Sequence, residues 1–81
     1  MNEKYSYEDF WKAVKDDLRS SLSAWNLSDE QIEEFMRREE DEIQNGFHRY
    51  RENIWVSEGM TEDAKFKADV SAVGYCLYML Y

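Results

Sequence analysis

The chain has 81 residues, 18 of them acidic against 10 basic, giving a formal net charge of −8, with no proline, three glycines and one cysteine. That length predicts a single domain over residues 1–81. The charge disfavours non-specific binding to nucleic acid or to an anionic membrane, and one cysteine excludes an internal disulfide.

Four Phe, three Trp and six Tyr supply enough core material to argue against disorder. The lack of proline, with so few glycines, favours long helices over a turn-rich β fold.

Met1 to Tyr5 read as a polar lead-in. The stretch Met1 to Phe10 has acids and no apolar core of a signal peptide, so the expected location is the cytoplasm. Ser6 followed by Asp9 is a capping-box-like start. Phe10, Val14, Leu18, Leu22 and Trp25 then mark one helical face, predicting helix 1 from about Tyr7 to about Trp25. Glu8–Lys12 and Lys12–Asp16 stand at ion-pairing spacing on the opposite face.

Asn26-Leu27 is a short joint. Ser28 with Gln31 forms a capping box, Leu27 and Ile32 fit a hydrophobic staple, and Asp29 and Glu30 suit the positive end of a helix dipole. Helix 2 shows Ile32, Phe35, Met36 and Ile43 inward. Its outer face carries Glu33, Glu34, Glu39, Glu40, Asp41 and Glu42, with Glu33–Arg37 and Glu34–Arg38 at favourable spacing.

Asn45-Gly46 admits two readings. Glycine favours a helix end, with a short helix or a strand from His48 to Val56 beyond it. Yet Ile43, Phe47, Tyr50 and Ile54 continue the stripe in phase, which predicts one long helix from Asp29 to about Trp55, bent at Gly46. Such a helix outruns its neighbours by about two turns, roughly 10 Å. Tyr50, Ile54 and Trp55 would then stand uncovered, as a partner site or a self-association site.

After the Ser57-Glu58-Gly59 loop, Thr61 caps a last helix with Glu62 and Asp63 in its first turn. Phe66, Val70, Val73, Leu77 and Leu80 form one stripe. Ala64, Ala68, Tyr75 and Met79 form a second. A helix apolar nearly all round is expected to be buried. The charged residues Lys65, Lys67 and Asp69 leave too short an apolar run to span a bilayer. Against a helix stand Gly74, which costs about 1 kcal/mol relative to Ala, and the strand propensity of Tyr75 to Tyr81. The fold class predicted is all-α: a small antiparallel three-helix bundle with a long second helix and an apolar C-terminal helix.

No residue carries a catalytic, cofactor or metal signature. His48 is the only histidine, no Cys-x-x-Cys exists, and Asn45 stands where a di-iron bundle would place the Glu of Glu-x-x-His. Cys76 lies in the most apolar run, where a thiol is inert. Ser20, Ser21 and Ser23 neighbour no base. Glu39 to Glu42 read as a solvated helix face rather than as a pair of shifted acids.

His48, Arg49 and Arg51 interleave with Phe47, Tyr50 and Trp55. Arginine, tyrosine and tryptophan dominate protein interfaces, and the acids upstream oppose a nucleic-acid role for this island.

The function expected is therefore non-enzymatic. It is a helical module binding a protein partner of basic character, without cofactor, nucleic acid or membrane. Its site would be Glu33, Glu34, Glu39, Glu40, Asp41, Glu42, Arg49, Tyr50 and Trp55. The alternative is an acidic nucleic-acid mimic that inhibits a DNA- or RNA-binding enzyme, of the kind phages and mobile elements use. Self-association into a homodimer is compatible with both, and solubility alone also accounts for such a charge.

Overall fold

The computed structural model describes residues 4–52, 59 and 61–81. Every regular element among them is helical: α1 (Tyr7–Ser21), a 3-10 turn (Ser23–Trp25), α2 (Asp29–Arg38), α3 (Glu40–Arg51) and α4 (Glu62–Leu80). The three starts read from capping residues hold. Ser6 and Ser28 each form a reciprocal capping box, with Asp9 and Gln31, and the Thr61 hydroxyl accepts from the Ala64 amide.

Helix 1 is shorter than its stripe suggested. It ends at Ser21, and the tighter winding of the 3-10 turn carries Trp25 off the Phe10–Leu22 face. Asn26, in the left-handed region at φ 54°, closes that turn. Trp25 is consequently 50 % exposed rather than part of the core.

The expected long helix is two helices, and the break falls at Glu39 rather than at Gly46. Position 39 or 40 is where the next inward apolar residue after Met36 would sit, and both are glutamates. Arg37 and Arg38 occupy the last turn of α2, and Glu40, Asp41 and Glu42 the first turn of α3. Cations at a helix C-terminus followed by anions at the next N-terminus suit both dipoles, so the charge run marks a junction. The helix ends at Arg51, with Glu52 extended at ψ 138°. A strand beginning at His48 is thereby excluded, and the expectations for Ile54 and Trp55 lie outside the described residues.

The chain passes through Gly46 without breaking because of a close approach. A side chain there would run into Val73 of α4 and come within 3.2 Å of the Phe10 ring. Gly74 does the same on the other side of α4, where its bare Cα lies against the Asp17 carboxylate of α1. The two glycines let α4 pack closely on both α3 and α1, its most extensive partners.

The core threads Phe10, Val14, Leu18 and Leu22 of the α1 segment, Ile32, Phe35 and Met36, Ile43 and Tyr50, then Phe66, Val70, Val73 and Leu77. Leu27 packs against it from the joint. The result is a rod of 40 × 18 × 18 Å.

Two expectations about the ends of this rod are overturned: Tyr50 is covered, and α4 is not buried all round. Lys4 and Tyr5, the end of the polar lead-in, dock on α4. The Tyr5 ring stacks on Phe66 at 3.9 Å, its hydroxyl donates to Asp63 at 2.6 Å, and Lys4 pairs with Asp63 at 3.1 Å. Beneath them Tyr50 is 1 % exposed, covered instead of projecting. Nor is α4 buried all round. It stays helical through Leu80, but only the Phe66–Val70–Val73–Leu77 stripe faces inward, with Asp69. Buried Asp69 has Lys65 Nζ 3.2 Å from its Oδ2, an ion pair without hydrogen-bond geometry. No helix among the described residues is long and apolar enough to cross a membrane.

Candidate functional site

The acids expected to share one binding face are dispersed. Glu33 is bound on two sides, to Lys15 at 2.6 Å and to Arg37 at 3.5 Å, and the Lys15 hydrogen bond holds its carboxyl below the usual value. Glu40 accepts from the Tyr7 hydroxyl at 3.1 Å; burial first, and then this carboxylate, push the Tyr7 phenol up to about 12. Glu42 turns toward α4, where the Cys76 thiol donates to it at 3.6 Å. Burial, and then Glu42, raise the Cys76 pKa, which disfavours the thiolate form of this half-buried sulfur.

Glu39 is half-buried at the α2–α3 junction. Glu34 and Asp41 are exposed. The expected Glu34–Arg38 pair does not form; the Arg38 guanidinium lies 6.0 Å from the Phe35 ring centre instead. Likewise Asp16 pairs with Arg19 rather than Lys12. Arg49 and His48 are exposed, and Trp55 is outside the described residues. Tyr50, its hydroxyl bonded to Glu62, is part of the scaffold. Among the described residues no three His, Cys, Asp or Glu side chains gather as metal ligands.

Two shallow grooves follow the charged face. One, about 350 Å³, is lined by Tyr7, Glu8, Trp11, Glu33, Arg37 and Glu40. The other, about 300 Å³, is lined by Asp29, Glu30, Glu33 and Arg37. Each carries three carboxylates against one cation, Arg37, and the carboxylate they share, Glu33, is already paired with Lys15 and Arg37.

The larger feature was missed in the sequence. At the far end of the rod the outer face of α4 leaves large apolar side chains in solvent: Tyr75 at 66 %, Met79 at 64 % and Leu80 at 53 %, with Tyr78 and Tyr81 beside them. Trp25 joins this patch. Its ring meets Tyr78 edge-on at 6.1 Å and Tyr81 at 6.0 Å, and Tyr81 in turn packs on Phe35 at 5.2 Å. Single exposed apolar residues are ordinary, whereas a contiguous group of them is a candidate interaction surface.

A groove of about 440 Å³ leads into the patch between α1 and α4, lined by Asp17, Ser21, Ser71, Tyr75 and Tyr78. Burial in it raises the Asp17 carboxyl above its ordinary value. The sequence held one usable signal. Tyr75, Tyr78, Met79 and Tyr81 lie off the Phe66–Leu77 stripe, and no helix among the described residues covers them. Compared with known proteins, the chain matches no family model, no curated protein and no solved structure, so its surface is read from its own side chains.

Proposed function

We propose that this protein is a small helical interaction module that binds a protein partner of basic character through the patch formed by Trp25, Tyr75, Tyr78, Met79, Leu80 and Tyr81. The observation that carries the reading is the set of large apolar side chains on α4 left in solvent around a half-exposed tryptophan. Aromatic residues of this kind supply most of the energy of protein interfaces. The net charge of −8 favours a basic partner and speeds its approach.

In this reading the scaffold is an antiparallel three-rod bundle, with α2 and α3 end to end as the second rod, working in the cytoplasm without catalysis. The acids serve the scaffold and long-range attraction. The mimic alternative loses support where Glu33, Glu40 and Glu42 are held by internal partners.

The test compares affinity capture by the wild type, by a Tyr75→Ser/Met79→Ser variant and by a Glu34→Gln/Asp41→Asn variant, with light scattering on each protein alone. Loss of the captured protein with the first variant and retention with the second is the expected result. Loss only with the second restores the acidic face as the site. A wild-type dimer that the first variant converts to a monomer assigns the patch to self-association instead.

A further inference from the structure

Asp17 differs from the other acids of α1. Glu8 pairs with Lys12 at 3.5 Å, Asp9 closes the capping box with Ser6, and Asp16 meets Arg19 at 3.4 Å. Asp17 has no hydrogen bond or ion pair among the described residues, although it is half-buried. A carboxylate withdrawn from water without a counter-charge is costly. Such a carboxyl in a cleft is a candidate for contact with a group from outside the fold.

The surroundings define what that is. Gly74 brings the backbone of α4 against the carboxylate, which also lines the groove of about 440 Å³ between α1 and α4. Ser21 and Ser71 add hydroxyls to its lining, together with the rings of Tyr75 and Tyr78. Tyr78 is also the side chain on which Trp25 rests, so the groove opens directly into the apolar patch.

We propose that this groove seats an arginine side chain of the protein partner, with its guanidinium on the Asp17 carboxylate and its plane against the tyrosine rings. Arginine fits better than lysine because its planar fork bonds a carboxylate at two points and stacks on aromatic faces. The carboxylate would set orientation, while apolar residues flanking the arginine would cover Trp25 and Tyr78. This inference rests on the interaction-module reading and gives that partner its recognition chemistry.

The test is an amide chemical-shift titration of the full chain with acetyl-Leu-Arg-Leu-amide and with the same peptide carrying citrulline, the neutral shape-match of arginine. The arginine peptide should move the Ser71, Gly74 and Tyr75 amides. Its affinity should fall about tenfold or more with citrulline, and equally for Asp17→Asn with the arginine peptide, as expected for loss of a charged hydrogen bond. Equal affinities for the two peptides, or no movement of those amides up to about 10 mM peptide, a bound well above ordinary weak binding, would overturn the proposal. The citrulline arm uses the unaltered protein, so it stands even if Asp17→Asn disturbs folding. Capture that depends on Tyr75 and Met79 but not on Asp17 would remove the arginine and leave the module reading in place.

Discussion

The hydroxyl of Tyr50 donates to Glu62 Oε2 at 2.5 Å and at the same time accepts the Tyr5 amide at 3.2 Å. One phenol thus ties the end of α3 to the start of α4 and to the segment leading into α1. Tyr50→Phe keeps the buried ring and removes both bonds. A loss of about 1–2 kcal/mol is expected, the ordinary worth of hydrogen bonds involving a charged acceptor, measurable by urea denaturation. An unchanged midpoint would mean that stacking of Tyr5 on Phe66 holds this end by itself.

The two interior glycines of α3 and α4 should respond differently to alanine. At Gly46 the added methyl meets Val73, buried at 1 %, and the fully buried Phe10 ring. Overpacking of about 1–3 kcal/mol should exceed the gain in helix propensity of about 1 kcal/mol, so Gly46→Ala destabilises. At Gly74 the obstacle is the Asp17 carboxylate, which can swing toward solvent. Gly74→Ala should therefore be near neutral by thermal melting, with its effect appearing at the Asp17 groove.

Asp17 and Glu33 should tilt the pH–stability profile in opposite directions. Burial raises the folded pKa of Asp17, so the folded state binds the proton more tightly. Its penalty is absent below the ordinary carboxylate pKa and grows as pH rises through the folded value. Asp17→Asn should thus stabilise at neutral pH and do little in acid. Lys15 lowers the folded pKa of Glu33, so that carboxylate stabilises above its ordinary pKa and the benefit fades as pH falls through the lowered value. Glu33→Gln should destabilise at neutral pH and converge on the wild type in acid. Denaturation midpoints of both variants between acid and neutral pH check the two signs.

Asp69 should matter through its partner. Lys65→Met leaves the buried carboxylate without its cation and should cost on the order of 2 kcal/mol. Combining it with Asp69→Leu removes the stranded charge and should recover much of the loss, as a double-mutant cycle would show.

What could be read from the chain alone was local. Ser6, Ser28 and Thr61 announce helix starts because capping involves residues three apart. The Phe10–Val14–Leu18–Leu22 stripe is likewise legible because α1 is regular there. The Glu39 break was missed because an acidic run looks the same on a solvated face as at a helix start. Gly46 was ambiguous because the reason for its bare Cα, Val73, lies 27 positions away. Tyr50 was expected in solvent because what covers it, Tyr5 and Phe66, comes from distant parts of the chain. The exposed side of α4 was hidden for a further reason. Hydropathy records how apolar a residue is, not whether the fold has a neighbour to place on it.

The position of Trp25 also gives the surface an optical readout. Its indole is half in water and edge-on to Tyr78 and Tyr81. Anything that settles on the patch must dry that ring, shifting its emission to shorter wavelength and shielding it from a dissolved quencher. With Trp11 and Trp55 replaced by phenylalanine, Trp25 would be the single emitter, and occupancy of the patch could be followed by its colour, with no label attached.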